Sequence, residues 1–281
     1  MCCLTKTAVN WFMIVLVYMI TLMLVLLGLA FGSFVNALVW RLHQKRNFVS
    51  ERSECPHCHH ILAAKDLVPV ISWLLLSGKC RYCHKPIPDT PLAELAVPLL
   101  FVVSYYFWPQ PLHGVGLFQF VLRLLFIVAF TALALYDLRW MLLPDKIVYP
   151  CVFLAVLQVL GSWLIFKEPG ATVVAAGLGM AVLSGLFYIL FELSKGTWIG
   201  FGDVKLGIAL GLLAGNIQPA LLVLFTASLA GSLVALPLML YGKAGRKTHL
   251  PFGPLLIIGL IVVQLWGAHI INWYTYHLFG A

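Results

Sequence analysis

Eight apolar segments organise this chain. They lie at 11–39, 92–108, 115–136, 147–166, 171–193, 206–214, 220–241 and 252–278. A helix needs roughly 20 apolar residues to cross a bilayer, a length that all but the sixth segment approach or exceed. Apolar residues are continuous along each segment instead of alternating with polar ones, which excludes the strands of an outer-membrane barrel. The sequence therefore predicts an all-α, polytopic integral membrane protein of about eight transmembrane helices.

Composition and charge exclude two other classes of protein. Hydrophobic residues make up 62% of the 281 and charged residues only 10%, whereas about a quarter of the residues of a soluble domain are charged. The net charge of +8 does not indicate nucleic-acid binding, because the basic residues are spread between the apolar segments and form no continuous helical face. The first segment lacks the short core and small-residue cleavage site of a signal peptide, so we expect a retained span.

The basic residues predict the topology of the spans. When the loops are assigned alternately to the two sides of the membrane, fifteen lysines and arginines fall on one side and only Lys6 and Lys167 on the other. The positive-inside rule makes the rich side cytoplasmic. The predicted organisation is a first transmembrane helix at 1–40, a hydrophilic cytoplasmic loop at 41–91 and a larger membrane region at 92–281.

Two Cys-x-x-Cys pairs lie in the cytoplasmic loop: Cys55 with Cys58, and Cys80 with Cys83. Each pair lets two thiolates bind one ion from a tight turn, and two pairs complete a tetrahedral shell. Because the cytoplasm keeps thiols reduced, a structural Zn²⁺ is favoured over paired disulfides. A redox role or a loop without metal is the alternative. Because four cysteines already satisfy the ion, the neighbouring histidines are interpreted as solvated loop residues, although one could replace a thiolate: His57, His59, His60 and His84.

The ten acidic residues fall into three groups. Solvation in hydrophilic loops or turns explains Glu51, Glu54, Asp66, Asp89 and Glu168. Span ends carry Glu94 and Glu192, where a carboxylate is less easily solvated. The remaining three flank spans on the cytoplasmic side: Asp137, Asp145 and Asp203. Carboxylates at a membrane boundary are unfavourable to desolvate, which makes this last group functional candidates.

Asp137 and Asp203 are predicted on the same side of the membrane, where they can meet. Two adjacent carboxylates do not readily ionise together, so one can stay protonated while the other is charged. The charged one can deprotonate water while the protonated one polarises a peptide carbonyl, as amide hydrolysis requires. Gly200 and Gly202 precede Asp203 and permit close backbone approach. Taken alone, this Gly-x-Gly-Asp sequence is also explained by a glycine-rich turn with an acidic helix cap.

Seven ordered motifs occur between about residues 28 and 255. They are Gly-Ser-Phe-Val-Asn at 32–36 followed by Arg41-Leu42, the paired cysteines, Asp-Leu-Val-Pro at 66–69 with Ser-Trp-Leu at 72–74, Pro-Leu-Ala-Glu-Leu at 91–95, Asp137 followed by Leu-Pro-Asp at 143–145, Gly-Phe-Gly-Asp-Val-Lys at 200–205, and Pro-Phe-Gly-Pro at 251–254. Together they resemble the type IV prepilin peptidase family, membrane aspartic proteases of the Gly-x-Gly-Asp class.

This resemblance implies that Asp137 and Asp203 are the catalytic pair and that 92–281 is a membrane aspartic protease domain. It favours Asp137 over Asp145, whose position in the family also accepts asparagine. It implies cleavage of the basic leader from type IV prepilins and type II secretion pseudopilins after glycine, at the cytoplasmic face of the bacterial inner membrane. It also implies that 41–91 takes part in N-methylating the new amino terminus with S-adenosylmethionine, for which the sequence identifies no binding residues.

Some residues depart from the family pattern, and other functions stay open. Histidines stand at 43, 59 and 84, where the family commonly has proline or glycine, which leaves the local turn geometry in question. A proton-coupled transporter or a membrane scaffold with a zinc loop are the alternative functions. A presenilin-like protease shares Tyr-Asp and Gly-x-Gly-Asp, but it lacks the zinc loop and the ordered flanking motifs.

Overall fold

The computed structural model describes residues 2–47, 52–87, 90–165, 169–242 and 250–280. Within these ranges every regular element is a helix, apart from two isolated β-bridges, which confirms the all-α prediction. The chain forms two compact units, Met1–Pro109 and Gln110–Ala281. The three-part division made from the sequence stays a prediction.

The first unit contains two long helices and the cysteine-bearing loop. Its helices are α1 (Cys2–His43), α2 (Ile71–Leu75) and α3 (Leu92–Tyr106), and a 3-10 turn lies at Ala64–Asp66. The loop between α1 and α3 carries the 3-10 turn and α2. The long helices pack against each other, so the two ends of the loop are held together.

Glycines bring α1 and α3 close together. A side-chain carbon at Gly28 would lie 2.4 Å from the Cα of Pro98, and one at Gly32 would lie 2.6 Å from the Cα of Glu94. No other residue could occupy either position without moving the helices apart. Two small residues spaced by one helical turn are typical of close helix contacts in membranes. The contact places the polar residues that follow Gly32 beside the start of α3.

The second unit contains six helices. They are α4 (Gly114–Trp140), α5 (Asp145–Ile165), α6 (Pro169–Ser194), α7 (Phe201–Ala214), α8 (Ile217–Leu240) and α9 (Gly253–Phe279). The shortest of them, α7, packs against α5, α6, α8 and α9. This arrangement surrounds α7 with longer helices.

The eight apolar segments all form helices, although two are short. In the described part of the chain, α1, α4, α5, α6, α8 and α9 contain segments long and apolar enough to cross a membrane. The apolar helix α3 has only 15 residues, and α7 has 14. At 1.5 Å per residue α7 measures about 21 Å, less than the roughly 30 Å of a bilayer core. The predicted number of about eight spans is therefore approximate.

Small residues let α7 pack closely on α6. A side-chain carbon at Gly211 would lie 2.5 Å from the Cα of Met180, and one at Gly179 would lie 2.6 Å from the carbonyl oxygen of Gly211. Leu206 and Leu210 of α7 are fully buried. Tight packing of this kind holds a short helix in place, and so fixes the position of its first turn.

Candidate active site and cysteine cluster

Asp137 lies in the last turn of α4 and is 6% exposed. Its carbonyl accepts a hydrogen bond from the N–H of Met141, which ends the helix in a left-handed conformation. Its carboxylate Oδ2 accepts a hydrogen bond of 3.1 Å from the N–H of Gly253, the first residue of α9. The N–H groups at a helix N-terminus carry partial positive charge, so this position stabilises a negative oxygen.

Asp203 lies in the first turn of α7. Its N–H donates a hydrogen bond of 3.1 Å to the carbonyl of Gly200. The Asp137 carboxylate is near enough to exert a Coulombic effect on Asp203. The structure therefore brings Asp137 and Asp203, which are 66 residues apart in the sequence, within electrostatic reach of each other.

Leu143, in the link between α4 and α5, lies close to the first turns of α7 and α9. A side-chain carbon at Gly202 would lie 3.0 Å from the Cβ of Leu143, and one at Gly253 would lie 3.5 Å from its Cδ2. The absence of side chains at Gly202 and Gly253 therefore allows α7 and α9 to approach the same leucine. The ends of α4, α7 and α9 converge here, with one carboxylate from each of the first two.

Asp145, the third acid predicted to flank a span on the cytoplasmic side, forms an ion pair instead. It begins α5, and its Oδ1 lies 2.7 Å from Nζ of Lys205. The same ammonium lies 5.2 Å from the ring centres of Tyr149 and Phe201. Because more than half of the Asp145 side chain is exposed, this ion pair contributes little to stability.

The four cysteines of the loop form one cluster that could hold a metal ion. Their sulfur atoms all lie within 4.8 Å of one another, and those of Cys55 and Cys83 are 3.8 Å apart. Zinc–sulfur bonds of 2.3 Å would place the sulfurs of a tetrahedral site about 3.8 Å apart. The donor set therefore fits zinc. Burial opposes ionisation of Cys80, but hydrogen bonds led by the N–H groups of Cys83 and Tyr82 lower the pKa of its thiol to about 7.

The two cysteine turns have the same backbone hydrogen bonds. The N–H of His59 donates to Cys55, and the N–H of His84 donates to Cys80. His59 and His84 have φ values of 56° and 54°, in the left-handed region that favours glycine. Both turns therefore form with histidine where the family commonly has glycine. Among the described residues the only candidate metal group consists of the cysteines, with no histidine ligand.

The interpretation of Asp66 as a solvated loop residue was wrong. Its side chain is only 3% exposed, and it accepts hydrogen bonds from Nε of Arg81 at 2.6 Å, the hydroxyl of Tyr82 at 3.1 Å and the N–H of Ala63 at 3.2 Å. Burial raises the pKa of this carboxyl, but those three hydrogen bonds outweigh it and hold the pKa below its usual value. Asp66 therefore ties the 3-10 turn to the second cysteine turn.

Glu54 also has a partner, because it forms an ion pair with Arg46. The other three acids that were explained by solvation, Glu51, Asp89 and Glu168, lie outside the described residues.

Two parts of the chain match different protein-family descriptions. Residues 26–108 match the bacterial peptidase A24 N-terminal domain, and residues 124–236 match the type IV leader peptidase family. The chain belongs to the type IV leader peptidase family. The first match contains the four clustered cysteines, and the second contains Asp137 and Asp203.

Curated relatives of this peptidase extend over nearly the whole chain. A prepilin leader peptidase/N-methyltransferase of Aeromonas hydrophila is 33% identical over 94% of this chain and 94% of its own length. Proteins of the same name from Burkholderia pseudomallei (strain K96243) and Bacillus subtilis (strain 168) are 34% and 29% identical, over 84% and 89% of this chain and 82% and 96% of their own lengths. No solved structure matches the chain.

Sequence reasoning did not assign roles to Gly253 and Leu143, which contact the candidate site. Both occur in motifs that carry the family resemblance, Pro-Phe-Gly-Pro and Leu-Pro-Asp. Those motifs were therefore a signal that something is required there, but they did not indicate contact with an aspartate that precedes Gly253 by 116 residues.

Proposed function

We propose that this chain removes the basic leader from type IV prepilins and type II secretion pseudopilins, with Asp137 and Asp203 as its catalytic pair. The observation that carries the proposal is the convergence of the ends of α4, α7 and α9 at Leu143, where the two carboxylates come within electrostatic reach. Relatives named prepilin leader peptidase/N-methyltransferase support the same substrate class.

The two aspartates have different roles in amide hydrolysis. Repulsion between the two carboxylates favours a state in which they share one proton. The ionised member takes a proton from water as the water oxygen attacks the scissile carbonyl, while the protonated member donates a hydrogen bond to the carbonyl oxygen. The proton taken from water then passes to the amide nitrogen as the carbon–nitrogen bond breaks and the amine leaves. The bond from Gly253 N–H holds one oxygen of Asp137 in a fixed direction. The position of that carboxylate is therefore set before a substrate arrives.

We place the catalytic pair at the cytoplasmic face of the bacterial inner membrane, because the loops beside both aspartates belong to the group rich in lysine and arginine. A prepilin has a basic leader followed directly by an apolar helix. Its helix can lie in the bilayer while its leader stays in the cytoplasm, so the scissile bond reaches the boundary. Cleavage after glycine at this boundary requires no entry of the leader into the membrane.

The proposal includes a second activity, N-methylation of the new amino terminus, and a structural zinc ion. Four thiolates leave no open coordination position, so zinc bound to the cysteine cluster stabilises the loop instead of reacting. S-adenosylmethionine, when bound, supplies a methyl group carried on a sulfonium. The new amino terminus must be neutral to accept that methyl group, and the proton it loses passes to solvent.

A Gly253→Ala variant is expected to cleave more slowly. The added carbon would lie 2.8 Å from Oδ2 of Asp137, so the carboxylate has to move. A displacement of about 1 Å can lower a rate roughly 10²-fold, and we expect a loss of about ten- to hundredfold. The initial rate of prepilin cleavage measures it. Gly177→Ala in α6 is the matched control, because nothing lies within 4 Å of the carbon it adds; equal rates in the two variants would contradict the contact.

Mass spectrometry of a model prepilin tests both activities. The substrate contains the leader, the glycine and the start of the apolar helix, and it is incubated with purified full-length protein with and without S-adenosylmethionine. We expect loss of the leader in both samples and an added methyl group only with the methyl donor. Protein carrying Asp203→Asn, prepared identically, reveals any contaminating peptidase.

This assay tests the peptidase and the N-methyltransferase proposals separately. An intact substrate in both samples would overturn the peptidase proposal. A cleaved product that gains no methyl group would overturn N-methylation alone. The transporter and scaffold alternatives predict an intact substrate, and no contact among the described residues favours either of them.

A further inference from the structure

The first unit contains a cavity of about 160 Å³ between α1, the cysteine-bearing loop and the start of α3. Polar and aromatic side chains from all three parts line it, among them Asn36, Trp40, Arg41, Trp73 and Glu94. The cavity lies outside the unit that contains the two aspartates. None of these side chains belongs to the catalytic pair proposed above.

Asn36, which lines this cavity, has an unsatisfied acceptor. The residue is 9% exposed, and its Oδ1 is buried without a hydrogen-bond partner among the described residues. Its Nδ2 lies at a long 3.5 Å from the carbonyl of Thr90. A buried acceptor without a donor is unfavourable by about 1–3 kcal/mol. A ligand that brings an N–H group into the cavity would remove that penalty.

Glu94 adds negative charge beside this acceptor. The close contact at Gly32 brings the first turn of α3, which contains Glu94, against α1. Its Oε2 accepts a hydrogen bond of 2.6 Å from the N–H of Val70. Its other oxygen, Oε1, has no hydrogen-bond partner among the residues that the structure describes. The lining of the cavity thus includes a neutral and a charged acceptor.

The other lining residues complement different parts of a ligand. Arg41 supplies a positive charge, and one of its nitrogens lies 3.3 Å from Oγ of Ser53. The indole ring of Trp73 provides aromatic surface, which attracts cations that lack N–H groups, whereas the ring of Trp40 already has the guanidinium of Arg46 5.3 Å from its centre. The lining therefore combines acceptors for an ammonium, a donor for a carboxylate and an indole ring for a further cation.

The volume limits how much of a ligand this cavity holds. Cavities of about 150 Å³ hold a molecule the size of benzene, whereas pockets for drug-sized ligands measure about 300–1,000 Å³. A space of about 160 Å³ is therefore large enough for an amino acid. Of the molecules that N-methylation requires, S-adenosylmethionine has an end of this size that carries an ammonium, a carboxylate and a sulfonium.

We propose that this cavity binds the amino-acid end of S-adenosylmethionine. Asn36 and Glu94 bind its ammonium group, Arg41 binds its carboxylate, and Trp73 faces its sulfonium. This inference rests on the proposed N-methyltransferase function. It assigns recognition of the methyl donor to the junction of α1, α3 and the loop. It also gives a specific role to Glu94, the acid at the end of the second predicted span.

Equilibrium dialysis with labelled S-adenosylmethionine tests the assignment on the zinc-loaded, full-length protein. Glu94→Gln removes the charge but keeps an acceptor for Val70, and Asn36→Leu removes the unsatisfied oxygen at similar size. We expect each to weaken binding about tenfold or more. Glu192→Gln is the matched control, since it makes the same change at an exposed acid in the other unit. Zinc content is measured in every variant.

A second ligand separates recognition from misfolding. 5′-Methylthioadenosine has the nucleoside but lacks the amino-acid end, so its affinity is expected to be the same in wild type and Glu94→Gln. An equal loss of affinity for both ligands would overturn the inference. Photo-crosslinking of labelled S-adenosylmethionine to the wild type provides an independent measurement. We expect adducts within the segments that line the cavity, which are 33–41, 53–67, 72–76 and 87–94, and adducts confined to other segments would overturn the assignment.

The binding experiment also separates this inference from the proposed function. If the wild type methylates the model prepilin but both variants bind the methyl donor normally, the cavity assignment fails and N-methylation stands. If the wild type neither binds S-adenosylmethionine nor methylates, both fail.

Discussion

Asparagine in place of Asp203 is expected to lower the rate of prepilin cleavage by roughly 10²- to 10⁴-fold. The substitution preserves the size of the side chain but prevents it from donating or accepting the shared proton. Asp137→Asn removes the other half of the pair and should have the same effect. Because the two groups act as a unit, the double variant is expected to be no slower than either single variant. Initial rates from mass spectrometry of the model prepilin measure all three.

Asp145→Asn is the matched control for these variants. It makes the same chemical change on an acid that lies only eight positions after Asp137. Asp145 is exposed and bonded to Lys205, so we expect a rate close to that of the wild type. Turnover at the wild-type rate by either Asp137→Asn or Asp203→Asn would contradict the catalytic pair. A large loss in Asp145→Asn would show that the cleavage assay responds to acids outside it.

Serine at both Cys55 and Cys80 is expected to remove zinc and unfold the cysteine-bearing loop. These are the two buried sulfurs of the cluster, each residue being 2% exposed, and their loss leaves one ligand in each pair. Metal binding and folding are coupled in such sites, so the loop should become sensitive to added protease. We expect the zinc content to fall from about one ion per chain to nearly none. Methyl transfer should fall with it, because the cavity is partly built from this loop.

Elemental analysis of the purified variant measures the metal, and limited proteolysis measures the loop. Cys151→Ala provides the control, since that cysteine is also fully buried but lies in α5, outside the cluster. A double serine variant with the full zinc content would exclude the four-cysteine site. Loss of zinc in Cys151→Ala would show that the metal content responds to general destabilisation.

Membrane solvation explains why the helices could be predicted from the sequence. Backbone groups in a bilayer must bond within their own helix, so a long apolar segment has little alternative structure. The cysteine pairs were similarly predictable, because three residues of spacing place two sulfurs in one turn. The boundary of one helix differs from its apolar segment. The predicted segment begins at residue 206, but α7 begins at Phe201, so Asp203 lies inside a helix.

Asp66 shows where local information was insufficient. A polar residue in a polar loop suggests solvation, but its partner Arg81 is 15 residues away. The cysteine turns bring the two together, and no pattern within the 3-10 turn indicates that. The same reason applies to the cavity, since Asn36, Trp73 and Glu94 come from three separate segments.

The sequence by itself determined the helical membrane architecture and the metal-binding potential of the loop, and it predicted the two acids that we propose as the catalytic pair. Each depends on hydropathy or spacing within one segment. Only the tertiary structure decided that Gly253 donates to Asp137 and that Leu143 meets both α7 and α9. Contacts between helices depend on which faces pack together, and hydropathy carries little of that information when nearly every face of a helix is apolar.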